Sequence, residues 1–482
     1  MPTEIVAVLP PLIAIILAWI TNQIIPALLL GLLAGSYIIS PGIISGIAKM
    51  VEYIETTLLD QGNLDVLLFL YVFSGFVGLL KMSGGIEGFA RLLDKRTKTK
   101  KGTLLAMWAI VPITFLDCAY RVVATGSIFK PLTDKQGVSR ERLAYMLNNS
   151  ASPVVIMIPI ATTFVGFLVG TVGSGLKAAG LESSPYITFL RSIPFNFFSI
   201  TSIIIALGSI LFNLNFAAMG ALEDEGKEVE RNQHLRPALD MEAGTMEKVM
   251  KQDDNNQAGK AYNLIIPILS LLFLSVYLMW WTGQDERSTF WQAIMNAEAS
   301  RSMFLALVIT TGIAAIMYLS QGFSLKELTE SFFEQGNQII HTIAILAVAW
   351  PIADITNDLG LSELITSTLG DSLPNTLVPI IIFLVASLVS YFIGSSWGTF
   401  ALLMPIAIPL AAITNAAIPI TIGAVFAGGT FGDVTSPLSG MTVMAADAAE
   451  AKHMEYVKAQ LPYNLFAFGL AAILFTVAPL II

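Results

Sequence analysis

Hydrophobic runs of about 17 to 25 residues recur from Ile5 to the end of the chain, each long enough to cross a hydrocarbon core of roughly 30 Å as a helix. Plausible spans lie near 5–20, 23–39, 64–82, 192–213, 262–282, 302–319 and 336–356. The first run has neither a basic flank nor a small-residue cleavage site, so it is expected to be a retained helix rather than a signal peptide. Other apolar stretches are interrupted by polar residues, glycine or proline. The segment Thr103 to Phe129 lies between two basic stretches, RLLDKRTKTKK (Arg91 to Lys101) and KPLTDKQGVSRER (Lys130 to Arg142). An excess of Lys and Arg marks a loop as cytoplasmic, so a segment between two such loops has to enter and leave the membrane on one side. It is expected to be a re-entrant hairpin with FLDCAYR (Phe115 to Arg121) at its tip; the competing reading is one long helix with Asp117 against a neighbour. NNSASP (Asn148 to Pro153) interrupts the run 143–171, and GGTFGDVTSPLSG (Gly428 to Gly440) interrupts a later one, so both are expected to be broken helices.

These interruptions pair up between the two halves. KMSGGIEGFARLL aligns with NDLGLSELITSTL when Gly84 is laid on Gly360, and FLDCAYRVVATGSIFKPL aligns with FIGSSWGTFALLMPIAIPL with Asp117 on Gly394. NNSASP aligns with GDVTSP, placing Asn149 on Asp433 and Ser152 on Ser436. Three blocks in one order at nearly constant offset imply a duplication. Five crossings and one hairpin per half is an odd number of crossings, so the second half enters the membrane inverted. The expected fold is an all-α polytopic membrane protein of two inverted repeats, with about ten transmembrane helices, two re-entrant hairpins and two broken helices. The repeats are expected at 1–213 and 262–482, joined by a hydrophilic cytoplasmic linker at 214–261 whose charged composition cannot bury a core.

Composition agrees with a membrane location and narrows the function. Of 482 residues, 55% are hydrophobic and 13% charged, and the mean hydropathy is +0.72, far from the composition of soluble domains. The lipid bilayer is therefore one partner, in the cytoplasmic membrane of a bacterium or archaeon. The net charge of −9 comes with no basic stripe, so nucleic acid is not a partner. The single cysteine, Cys118, rules out an intramolecular disulfide. No nucleophile–base pair or metal-ligand cluster points to an enzyme or to a bound cofactor.

The candidate chemistry sits at the breaks. Asp117, Cys118, Asn148, Asn149, Ser150 and Ser152 in one half face Ser395, Ser396, Trp397, Thr399, Asp433, Thr435 and Ser436 in the other. Na⁺ is a hard cation that takes oxygen ligands, and opened helix ends add backbone carbonyls to hydroxyls, amides and a carboxylate. Asp433, Thr435, Ser396, Asn149 and Ser152 are the candidate Na⁺ ligands. Any one of these hydroxyls alone is more simply read as helix packing by a small residue. For a buried carboxylate, desolvation favours the protonated form and a bound cation the ionised form, so proton and Na⁺ would compete for Asp433 and for Asp117. Arg121 either pairs with Asp117 or binds the carboxylate of an anionic substrate. Asp354 and Asn357, near the end of AVAWPIADITNDLG, are secondary candidates for cation or proton handling, against a helix-end role.

FLDCAYRVVATGSIFKPLTDKQGVSRERLAYMLNNSASPV, AVAWPIADITNDLG, SSWGTFALLMPIA and GAVFAGGTFGDVTSPLSGMTV together resemble the NhaC-type sodium/proton antiporters of the ion transporter superfamily, over roughly 64–172 and 336–447. The resemblance implies secondary active transport with Na⁺ as coupling ion and an elevator-like motion against a scaffold that can form a homodimer. It also covers carriers of small organic solutes. The sequence departs from the family pattern at both breaks: Cys118, Ala119, Tyr120 and Arg121 stand where Asp-Tyr-Phe-Asn is usual, Val434 where a histidine is and Gly440 where an aspartate is. Na⁺/H⁺ antiport is the leading expectation. Na⁺- or H⁺-coupled transport of an amino acid or carboxylate is the alternative.

Overall fold

A computed structural model describes residues 3–481 except 22, 86–87, 89–98, 161, 214–218, 221–259, 286–287, 362–363 and 365–372. Most of the first basic loop and of the 214–261 connection lies outside the described residues. Among those described, helices are the only regular elements. In the first half these are α1 (Leu9–Thr21), α2 (Ile24–Ile39), α3 (Ile43–Leu58), α4 (Gln61–Met82), α5 (Lys100–Ala109), α6 (Val111–Thr114), α7 (Cys118–Asp134), α8 (Arg140–Asn149), α9 (Ser152–Val155), α10 (Thr163–Ala178), α11 (Pro185–Ser192) and α12 (Phe197–Leu211). The second half contains α13 (Tyr262–Gly283), α14 (Phe290–Asn296), α15 (Ala299–Ser320), α16 (Leu325–Gln338), α17 (Ile340–Asp358), α18 (Val378–Ile393), α19 (Ser396–Ile413), α20 (Ile418–Thr435), α21 (Gly440–Ala449) and α22 (His453–Val477). Among the described residues, eight helices are long and apolar enough to cross a membrane, or up to ten if each of two bent pairs is one span.

The element order recurs. α1 and α2 correspond to α13 and α15, α3 and α4 to α16 and α17, the pair α5/α7 to α18/α19, α8 to α20, and α12 to α22. Packing follows the same pseudo-symmetry across the halves: α4 lies on α16 while α17 lies on α3, and α10 packs on α19 while α21 packs on α7. Gly84 after α4 and Gly360 after α17, matched in the sequence comparison, both take left-handed backbone, with φ of 62° and 86°.

The hydrophobic pattern missed α3. This helix bends 117° from α2 at Ser40–Gly42, where Pro41 cannot continue a helix and Gly42 takes a φ of 143°. Its polar residues Lys49, Glu52 and Glu55 interrupt the apolar run, so it reads as no span at all, yet its other face lies along α17. Thr103 to Phe129 is a helix–break–helix hairpin, not one long helix, because α5/α6 and α7 pack side by side around the break at Phe115–Asp117. At the end of α7, Lys130 pairs with Glu450, which follows α21, and Arg140 bonds the same carboxylate at 2.8 Å. The two cations hold the Glu450 carboxyl below the usual glutamate range.

Candidate functional site

Both hairpin tips are capped helix N-termini. Asp117 is the N-cap of α7: its carboxylate accepts the N–H of Tyr120 at 2.9 Å and the hydroxyl of Thr163 at 3.1 Å. Ser395 is the N-cap of α19 and accepts the N–H of Gly398 at 3.2 Å. The structural counterpart of Asp117 is therefore Ser395, and the sequence match to Gly394 is off by one residue. Gly394 itself has a φ of 70°, and a Cβ there would stand 2.7 Å from the carbonyl of Leu438. Glycine is needed because the hairpin tip closes directly onto the second break.

At that break Asp433 is helical, in the last turn of α20, which corrects the expectation of an unwound segment; the chain opens only at Ser436–Ser439. The carboxylate is 4% exposed and accepts the hydroxyls of Ser152 at 2.6 Å and Ser439 at 3.2 Å. Ser396, at the start of α19, is buried with its hydroxyl unpartnered. The backbone is held as tightly: Thr442 donates to the Asp433 carbonyl at 3.2 Å, and Asn148 and Asn464 donate to that of Val434 at 3.1 and 3.2 Å. A carboxylate at the C-terminal, negative end of a helix dipole is electrostatically unfavourable by itself. A cation beside it reverses the sign of that interaction.

The first break is differently filled. Ser152, the first residue of α9, reaches across to Asp433, and with the Asn148 bond to the Val434 carbonyl it joins the two breaks directly. Cys118 lies buried between them, in hydrogen-bonding reach of Ser152. Arg121 is completely buried, and its guanidinium donates to the Ser150 carbonyl at 2.5 Å, to the Met107 carbonyl at 3.1 Å and to the Thr114 hydroxyl. It makes neither of the contacts expected of it: no ion pair with Asp117 occurs among the described residues, and its donors face protein oxygens rather than an open cavity. Asn149 is also turned away, because its Oδ1 accepts the Ser202 hydroxyl at 2.5 Å and its amide donates to the Tyr145 carbonyl at 3.1 Å. Asn148 takes the place expected of Asn149.

The remaining candidates divide. Thr435 is buried with an unpartnered hydroxyl, as is Ser396. Ser436 donates to the Tyr391 carbonyl at 2.6 Å and Thr399 to the Ser395 carbonyl at 2.8 Å, both holding local backbone. Trp397 packs its ring on Phe164 and Phe167, with centroids 4.5 and 4.6 Å away, joining α19 to α10. Asp354 is remote from Asp433 in its contacts: it pairs with Lys177 at 3.1 Å and accepts the Thr57 hydroxyl at 3.3 Å. Asn357 lines a separate cleft with Tyr53 and Asp358, whose side chains bond at 2.5 Å. Sequence reasoning missed Ser439, Thr442, Asn464 and Thr163. Ser439 was readable within the same motif, and Asn464 as a lone amide in an apolar helix.

Two solved structures share this fold. The fold matches the YdaH transporter of Alcanivorax borkumensis with a TM-score of 0.60 at 13% identity, covering 90% of this chain and 89% of that one. It matches MtrF of Neisseria gonorrhoeae with a TM-score of 0.52 at 14% identity, over 97% and 95%. In sequence, an uncharacterized protein of Haemophilus influenzae is 29% identical over 95% of this chain and 87% of its own length. The malate-2H(+)/Na(+)-lactate antiporter of Bacillus subtilis is 25% identical over 36% of this chain and 37% of its own. The Na+/H+ antiporter family model matches residues 162–479, which include α10 through α22 and the Asp433 break. By that match, over well more than half of its length, the chain belongs to the Na⁺/H⁺ antiporter family of secondary active transporters.

Proposed function

We propose that the protein exchanges Na⁺ for H⁺ across the cytoplasmic membrane, with the Asp433 carboxylate as the group the two ions share. The observation that carries this reading is a buried carboxylate held only by the hydroxyls of Ser152 and Ser439, at a helix end where further buried acceptors are left over. Thr435 Oγ1, Asn148 Oδ1 and Asn464 Oδ1 are buried and accept no hydrogen bond, and both amides already point their N–H groups at the Val434 carbonyl. Buried polar atoms are otherwise almost always paired. Oxygens left without donors at the end of a helix that carries a buried carboxylate fit a hard, dehydrated cation. No group of three or more His, Cys, Asp or Glu occurs among the described residues, so a single negative charge matches a monovalent ion. When Na⁺ leaves, the carboxylate is desolvated at a helix C-terminus, where a proton removes its charge. The alternation of the two ions follows from one site that cannot stay both empty and charged.

Transport of a small organic acid is the second reading, supported by the activity named for the Bacillus subtilis relative. Its weak point is the missing cation: Arg121 is consumed by protein oxygens, and no ion pair of Asp433 occurs among the described residues. Liposomes holding the purified protein and a pH-sensitive dye separate the readings. A Na⁺ pulse alone should alkalinise or acidify the lumen according to its direction. Proton flux that appears only when malate, lactate or an amino acid is added would sink the exchange reading. Chemical cross-linking of the same liposomes would test the proposed homodimer.

A further inference from the structure

We infer that Arg121 is a built-in cation occupying the first repeat's counterpart of the Na⁺ site, so that each chain carries a single exchangeable Na⁺. This rests on the function proposed above and adds its stoichiometry. The two repeats present the same local design, a capped hairpin tip against the C-terminus of a broken helix. Arg121 is the fourth residue after the N-cap Asp117, and Thr399 is the fourth after the N-cap Ser395. Thr399 turns back to its own N-cap carbonyl and places no cation at the second break. Arg121 instead extends to Ser150, the C-cap of α8, and takes its carbonyl together with the Met107 carbonyl and the Thr114 hydroxyl. The three oxygens that the guanidinium takes are of the type a Na⁺ there would use for part of its coordination.

The charges agree with that substitution. A guanidinium stays protonated in proteins, and a fully buried one without a carboxylate partner is costly. Here the α8 C-terminal dipole and three oxygens compensate it. The positive charge at the first break is therefore permanent, and the second break, with Asp433 and no basic partner, is the only one of the two left negative. A second Na⁺ at the first break would need the space and the oxygens that the guanidinium holds.

The test is equilibrium binding of radioactive Na⁺ to the purified, detergent-solubilised full chain. Wild type is expected to bind one Na⁺ per chain with a Hill coefficient near 1, Asp433→Asn none, and Arg121→Lys one. Arg121→Thr, which installs the residue type of the second repeat, should gain a second Na⁺. Two Na⁺ on wild type, or a folded Arg121→Thr variant that still binds one, overturns the inference. If Arg121→Thr does not fold, the wild-type and Arg121→Lys counts decide it. No Na⁺ on wild type would overturn the exchange reading itself, and this inference with it.

Discussion

The two broken helices share their architecture and differ in their charge. At the first, Arg121 satisfies the freed carbonyl of Ser150 and Asp117 is spent on capping α7 and on Thr163. At the second, Asp433 stands in the last helical turn among hydroxyls and amides with acceptors to spare. Duplication supplies two equivalent openings in the membrane, and side chains then decide which of them can release an ion. A carbonyl held by a covalently attached cation is structure. A buried carboxylate held only by hydroxyls, with no attached cation, is what the proposed site requires.

The largest expected effect breaks this contrast outright. Asp433→Asn removes the one negative charge of the second break while keeping its shape; its Oδ1 can still accept one serine hydroxyl, and its Nδ2 has to donate to the other. Coupled Na⁺/H⁺ flux in liposomes should disappear with the thermal unfolding of the purified protein little changed; normal Na⁺-dependent flux in that variant would falsify the assignment. Ser152→Ala comes next, because it cuts the side-chain bond from the first break to Asp433 and removes one ligand candidate. Loss of a partner that orients a ligand typically costs about 10- to 100-fold in ion affinity, so the Na⁺ concentration for half-maximal exchange should rise by that order. A curve superimposable on wild type would mean Ser152 only packs.

A third effect falls on the frame of the second break rather than its chemistry. α20 lies so close to α18 that a Cβ at Gly432 would run into the backbone and hydroxyl of Ser390. Gly432→Ala should cost about 1–3 kcal/mol by overpacking. The midpoint of thermal unfolding in detergent reads it, and an unchanged midpoint would show that the helices separate easily. The first break offers no matching contact, since α8 carries no glycine.

Much of the fold could be read from residues, and the reason is physical. Breaks at membrane depth need Gly, Pro and polar groups in otherwise apolar runs, so NNSASP and GDVTSP advertise themselves, and their repetition carries the inverted architecture. Asp433 and Ser152 were legible for the same reason. Rotation about a helix axis was not: Asn148 and Asn149 are neighbours in sequence that point about 100° apart on a helix, and only packing chooses which faces Val434. The role of Arg121 was hidden too, because its partners Met107, Thr114 and Ser150 are distributed over three segments. α3 escaped notice because an amphipathic helix with Lys49, Glu52 and Glu55 lacks the continuous apolar run of a span.

The smallest expected effect concerns Asp354, a carboxylate equally conspicuous in the sequence. Its partner Lys177 is 68% exposed at the side chain, so the ion pair sits in water-like surroundings and is worth about 0–1 kcal/mol. Its other oxygen accepts from Thr57, which ties α17 to α3 at the end of the helix rather than at a break. Asp354→Asn should therefore keep the Na⁺ dependence of exchange and the number of ions moved per cycle, with at most a small drop in thermal stability. Measured against Asp433→Asn in the same liposomes, a comparable loss of flux would show that the negative charge needed for exchange is not confined to the second break, and the division between the two openings would have to be redrawn to include this outer cluster.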